Sequence, residues 1–144
     1  MDFERATETR AGLERLARRF GIRLILQFGS TVAGTCHPLS DMDIAVMFER
    51  GEVPLRVTLE VSEELRKMFP DREIDLAVLN RADPLFLRQI TDNCRLLFGE
   101  PRDLAQLRLY AFKRYQDYRR FLALERQFVG DRLAALSAKQ RNGL

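Results

Sequence analysis

The chain has 144 residues, 46% hydrophobic and 31% charged, which is the size and composition of one ordinary globular domain with its own core. No run approaches the roughly 18 apolar residues that a membrane span needs, and the charged opening MDFERATETR does not resemble a signal peptide. Two cysteines, Cys36 and Cys94, lack the CxxC spacing of a structural zinc site and argue against a disulfide framework. We therefore expect residues 1–144 to form a single cytoplasmic domain without a membrane partner.

Apolar spacing predicts helices interleaved with short strands. Leu13, Leu16 and Phe20 recur at helical spacing and predict a helix over 4–20 that Gly21 ends. The remaining predicted elements are strands over 22–28, 41–48, 72–79 and 95–99, and helices over 54–69, from Pro84 with Asp83 as N-cap, and from Pro101 for about thirty residues. The expected fold is α+β (mixed α/β): a short mixed sheet of three to four strands flanked by helices and followed by a long C-terminal helix.

Two aspartates interrupt the apolar pattern of the second predicted strand. Side chains at positions i and i+2 of a strand point to the same face, so Asp41 and Asp43 project together while Met42 and Ile44 face the core. A half-buried carboxylate is costly unless a cation or a donor satisfies it. Paired carboxylates without nearby Cys or His suit Mg²⁺, and two such ions can share ligands of this kind in phosphoryl transfer. The alternative is an edge strand whose aspartates face water.

A glycine turn and a third carboxylate extend this pattern. Gly29 and Ser30 directly follow the first predicted strand, where a glycine lets the backbone approach a phosphate and the serine adds a hydroxyl donor. Asp75 lies in the middle of the third strand, with Ile74 and Leu76 pointing the other way. It is therefore the preferred third carboxylate over its acidic neighbours Glu73 and Asp71, although a solvated strand carboxylate is the alternative.

The signature Gly-Ser, ten residues, then Asp-x-Asp resembles that of the DNA polymerase beta nucleotidyltransferase superfamily, with Asp75 in the place of its third carboxylate. The short chain is similar to the minimal nucleotidyltransferases (MNT) that act as antitoxins in HEPN/MNT toxin–antitoxin pairs. The resemblance covers roughly residues 20–100, which implies a polymerase-beta-like core and a C-terminal helical extension over about 101–138.

The resemblance implies a catalytic and metal-binding triad of Asp41, Asp43 and Asp75, with Gly29 and Ser30 binding the nucleotide. It further implies two Mg²⁺ ions, ATP as substrate, and transfer of AMP to a tyrosine hydroxyl of a HEPN ribonuclease toxin, which silences the toxin. Two other functions stay open: a small-molecule transferase of the aminoglycoside type, and an antitoxin that acts by binding alone.

The C-terminal helix carries two apolar stripes, too wide together for a simple surface helix. One stripe consists of Leu104, Leu107, Ala111, Tyr118 and Leu122, and the other of Tyr110, Phe121, Leu124 and Phe128. We expect one to contact the chain's own body and the other a partner protein; the alternative is a fully packed helix with a solvated basic face. Direct nucleic-acid binding is not expected, because the basic residues here form no recognisable reading motif. His37, the only histidine, is interpreted as a surface loop residue, and contact with a phosphate or with the acceptor hydroxyl is the alternative.

Overall fold

The computed structural model describes residues 2–29 and 41–142. Its elements are, in chain order, α1 Asp2–Phe20, β1 Ile22–Phe28, β2 Met42–Phe48, α2 Leu55–Met68, β3 Ile74–Val78, a 3₁₀ turn Leu79–Arg81, α3 Pro84–Asp92, β4 Cys94–Phe98 and α4 Pro101–Asn142. The predicted α+β class, with four short strands and a long final helix, is confirmed.

The four strands form one mixed sheet in the order β3-β2-β1-β4. β1 runs antiparallel to both β2 and β4, whereas β2 and β3 are parallel. A parallel pair needs a long crossover connection, and α2 supplies it. As a result, the beginnings of β2 and β3 lie together with the end of β1 at one edge of the sheet.

Each face of the sheet packs against its own pair of helices. On one face, Ile44 and Val46 of β2 share a core with Leu13 of α1 and Leu65 of α2. On the other face, Ala45 shares a core with residues of α3 and α4. The alternation along β2 therefore follows the predicted period of two, with Met42, Ile44 and Val46 all on the α1–α2 side.

Local chemistry sets the ends of several elements. Gly21 has a φ of 66°, a left-handed conformation that ends α1 and starts β1. The predicted N-cap of α3 is confirmed, because the Asp83 carboxylate accepts a hydrogen bond of 2.9 Å from the backbone N–H of Phe86, with Pro84 at the first helical position.

The third strand is shorter than the predicted 72–79: it begins two residues later, at Ile74, and ends one residue earlier, at Val78, because the chain turns at Leu79 into the 3₁₀ segment. Asn80 explains the early end. Its side-chain oxygen accepts from the Phe48 N–H at 2.9 Å, and its amide donates to the carbonyls of Phe48 and Arg50 at 3.0 and 3.1 Å. The Asn80 side chain thus occupies the end of β2, where further strand pairing would have been made.

Only the first turns of α4 are buried. Leu104, Leu107 and Ala111 pack against the sheet and α3, whereas the helix continues to Asn142, four residues beyond the predicted end of the extension.

Among the described residues, no helix combines the length and apolar character that crossing a bilayer requires.

Candidate active site

The strand register aligns two predicted site residues at the edge of the sheet. Asp43 is paired with Phe28 on one side and with Asp75 on the other. Directly paired residues of neighbouring strands carry their side chains on the same face, about 5 Å apart. Phe28, Asp43 and Asp75 therefore form a row across β1, β2 and β3, on the face that holds α3 and α4.

Gly29 brings the backbone against the second aspartate of this row. Its φ is 82°, and a Cβ added to it would overlap Oδ2 of Asp43, closer than any real contact. Only a residue without a side chain can occupy this position. The structure thus places the predicted Gly29 turn directly beside the predicted carboxylates.

The three predicted aspartates share one electrostatic environment. Burial raises the pKa of Asp43, and the negative charges of Asp75 and then Asp41 raise it further. Asp43 is half-buried, whereas Asp41 and Asp75 are exposed. A cation beside these side chains would reverse the repulsion, because it favours the ionised form of each carboxylate.

This raised pKa gives a stability prediction. A carboxyl group whose pKa is higher in the folded state destabilises the fold once pH rises above its unfolded value of about 3.9. We expect Asp43→Asn to stabilise the chain at pH 7 by about 0.5–1 kcal/mol, because it removes a partly buried charge and the repulsion from Asp75 and Asp41, or about 2 °C in Tm for a chain of this size. The gain should narrow as pH falls towards 4. Thermal unfolding of both chains between pH 4 and 8, without divalent cations, measures it, and an Asn variant less stable at pH 7 would contradict the assigned repulsion.

The alternatives to Asp75 are placed differently. Asp71 forms an exposed ion pair with Arg5 at 3.4 Å. Glu73 is exposed, and its backbone carbonyl accepts the Met42 N–H at 2.8 Å. Neither residue is paired with Asp43, so the register singles out Asp75.

The donor chemistry of this edge fits a hard cation. Carboxylate oxygens are the ligands that Mg²⁺ prefers, and the mutual repulsion around Asp43 is what a divalent cation would relieve. Across 2–29 and 41–142, no three Asp, Glu, His or Cys side chains stand grouped as a complete metal site. Asp41 precedes β2 and is outside its hydrogen-bonded ladder, so the strand register fixes two of the three aspartates.

Other predicted residues lie outside the described part of the chain. Ser30, the predicted phosphate donor, Cys36 and His37 belong to this group. Their predicted roles therefore stay predictions.

The sequence analysis did not single out an aromatic pair beside the row. The rings of Phe28 and Phe86 meet edge to face, with centroids 6.1 Å apart and an interplanar angle of 82°. Phe28 could have been noticed because it directly precedes Gly29, but nothing local to Phe86 indicates that α3 brings it to the same place.

A mixed four-stranded sheet with acidic side chains on two neighbouring parallel strands, beside a glycine turn, agrees with the nucleotidyltransferase fold that the sequence resemblance implied. Residues 13–103 match the family model described as polymerase beta, nucleotidyltransferase. The chain belongs to this family, and the predicted superfamily is confirmed.

The chain is also similar to one named adenylyltransferase and to solved toxin–antitoxin structures. The chain is 29% identical over 122 residues to the protein adenylyltransferase MntA of Shewanella oneidensis, covering 85% of this chain and 84% of that protein. A crystal structure of a toxin–antitoxin with AMP-PNP matches with a TM-score of 0.66 and 27% identity, over 86% of this chain and 97% of that one. A re-refined complex of tri-AMPylated Shewanella oneidensis HEPN toxin with MNT antitoxin matches with a TM-score of 0.62 and 23% identity, over 89% and 98%, and supports the fold.

Proposed function

We propose that this protein is an antitoxin that transfers AMP from ATP, with Mg²⁺, to a tyrosine hydroxyl of a HEPN-type ribonuclease toxin. The observation that carries the proposal is the pairing of Asp43 with Asp75 beside Gly29. The similarity to a protein adenylyltransferase, and to toxin–antitoxin structures, supports the choice of a protein acceptor. We place the reaction in the cytoplasm, where ATP is available, and treat residues 1–144 as one domain.

The three aspartates would bind the metal ions, and one of them would also accept the proton of the acceptor hydroxyl. Asp41 and Asp43 would hold Mg²⁺, and Asp75 would complete the site for a second ion. When bound, the ions neutralise phosphate charge at the reacting centre. Asp75, at the β3 end of the row, would also orient the acceptor hydroxyl and accept its proton at a carboxylate oxygen.

The phosphate side lies at the opposite end of the row. The Gly29 backbone, with the Ser30 hydroxyl, would position the β and γ phosphates so that the α-phosphorus faces the acceptor oxygen. The bond from that oxygen to the α-phosphorus forms as the bond to the leaving pyrophosphate breaks. The products are an AMP-tyrosine and pyrophosphate.

The exposed surface of α4 supports the choice of a protein as the acceptor. Beyond its buried start, the helix presents an apolar surface that we call the outer face of α4, formed by Phe121, Leu124 and Phe128, which recur at helical spacing and are each more than half exposed. Residues 112–142 carry eight basic and three acidic side chains. This charge opposes self-association along the helix and favours an acidic partner surface. We propose that the toxin docks here.

The function is tested by label transfer. The chain and a HEPN-type toxin that co-purifies with it are incubated with α-phosphate-labelled ATP and Mg²⁺. We expect label on the toxin, at a tyrosine identified by mass spectrometry, and loss of ribonuclease activity in step with labelling. Toxin inhibited without any label would instead identify an antitoxin that acts by binding, and label on an aminoglycoside but not on the toxin would identify a small-molecule transferase.

The docking surface gives a second prediction. Phe121 and Phe128 are 61% and 64% exposed, so replacing both by Glu should leave the free energy of unfolding within about 0.5 kcal/mol. Truncated apolar anchors at the centre of an interface cost about 2 kcal/mol or more each, so we expect the Kd for the toxin to rise at least a hundredfold in calorimetry. Phe3→Glu on α1, where Phe3 is 83% exposed, is the matched control. Equal binding by the double variant and the control would place the interface elsewhere.

A further inference from the structure

The Phe28–Phe86 pair stands at the β1 end of the carboxylate row. Phe28 is paired directly with Asp43, so the two side chains emerge side by side on one face of the sheet. Phe86 of α3 packs edge to face on Phe28. The two rings therefore form an apolar wall next to the second aspartate.

The order of the row assigns this wall to one of the two substrates. Asp75 flanks Asp43 on the β3 side, whereas Phe28 flanks it on the β1 side and is continuous with Gly29. In the proposed reaction the acceptor lies beside Asp75 and the phosphates lie beside Gly29. The wall is thus on the nucleotide side of the reacting centre.

The position of Phe86 is fixed by the first turn of α3, yet its side chain is only partly buried. Its backbone N–H donates to the Asp83 cap at 2.9 Å, which fixes the first turn of α3. The next residue, Leu87, is 3% exposed and anchors the helix in the core, whereas Phe86 stays 37% exposed. Such a ring, fixed in position yet accessible, offers a surface on which a planar base can stack.

We propose that Phe86, supported by Phe28, is the stacking platform for the adenine base of ATP. The inference rests on the proposed function and adds the subsite that holds the nucleoside. Stacking is tolerant of base identity, because every base has a π face. The platform should therefore set nucleotide affinity more than the choice between purines.

The chain contains no tryptophan, so Phe86→Trp introduces a single tryptophan at the proposed platform, which can be excited selectively at a wavelength where tyrosine does not absorb. We expect Mg²⁺-ATP to change its emission with the same saturation curve that calorimetry gives for binding. Inorganic triphosphate with Mg²⁺, which has phosphates but no base, should leave the emission unchanged. Phe121→Trp on the outer face of α4 is the control that should not respond to either ligand.

A second measurement uses Phe86→Ala. We expect the affinity for Mg²⁺-ATP to fall about tenfold, with the KM for ATP rising to match, kcat at saturating ATP nearly unchanged, and the affinity for inorganic triphosphate unaltered. Leu85→Ala, at a neighbouring position that is 44% exposed, should bind ATP as the native chain does. Phe86→Leu keeps an apolar contact with Phe28 but removes the aromatic face, so it should resemble Phe86→Ala if stacking is the cause.

The outcomes separate this inference from the proposed function. A native chain that binds and transfers AMP, with Phe86→Ala equal to it in ATP affinity, or Phe86→Trp silent while ATP binds, overturns the platform and leaves the function intact. A native chain that binds no Mg²⁺-ATP overturns both.

Discussion

Replacing Asp43 by Asn is expected to reduce the rate of AMP transfer at least about a thousandfold, because it removes a carboxylate oxygen and its charge from the proposed metal site. The same substitution should leave the fold intact and raise Tm slightly in the absence of Mg²⁺, since the pKa of Asp43 is raised by burial and by its acidic neighbours. Loss of activity together with gain of stability separates this effect from misfolding, in which both would fall. Initial rates of label transfer and thermal unfolding, measured on the same preparation, check it.

Variants of the other two aspartates test whether the loss of AMP transfer is specific to the proposed metal site. Asp41→Asn and Asp75→Asn should each lower transfer at least a hundredfold, whereas Glu63→Gln, an equally conservative change at an exposed position of α2, should transfer as the native chain does. Adding Mg²⁺ and a non-hydrolysable ATP analogue should raise the Tm of the native chain and of Glu63→Gln, but not that of Asp43→Asn. Transfer at the native rate by the Asp43→Asn variant would rule out the proposed metal site.

Gly29→Ala is the second large effect. An added Cβ would overlap Oδ2 of Asp43, and the residue would keep a φ of 82° that L side chains rarely adopt. We expect the carboxylate to be displaced, with transfer falling at least about a hundredfold through misplacement of the reacting groups. The strained backbone should also cost about 1–2 kcal/mol of unfolding free energy.

Variants of two other glycines distinguish displacement of the Asp43 carboxylate from backbone strain. Gly21 has a φ of 66° with open space where an added methyl group would lie, and Gly51 has neither a positive φ nor a close neighbour. Gly21→Ala should therefore lose stability comparable to Gly29→Ala yet keep its transfer rate, and Gly51→Ala should change neither. If Gly21→Ala lost as much activity as Gly29→Ala, backbone strain alone would account for the loss. The close approach of Gly29 to the Asp43 carboxylate would then have no effect on the transfer rate.

The outer face of α4 shows where sequence analysis needed the fold. The pattern predicted two apolar stripes but left open whether the second packs within the domain or contacts a partner. In the structure the start of the first stripe, Leu104 to Ala111, is buried, while Phe121 and Phe128 of the second stripe lie on the projecting part of the helix. Burial along a helix depends on how far the body extends beside it, which helical periodicity alone does not encode.

The sequence by itself determined the features that depend on neighbours along the chain. The period of the apolar residues defined the helices and strands, and the Gly29 turn followed from the end of an apolar run. Strand geometry predicted that Asp41 and Asp43 share one side, although β2 begins at Met42 and its register includes only Asp43. Only the tertiary structure decided that Asp75 pairs with Asp43, that Gly29 contacts its carboxylate, and that Phe86 joins them from α3. The physical reason is that sheet order and register are set by the burial of apolar faces from distant segments, and a slip of one residue would turn Asp75 to the opposite face.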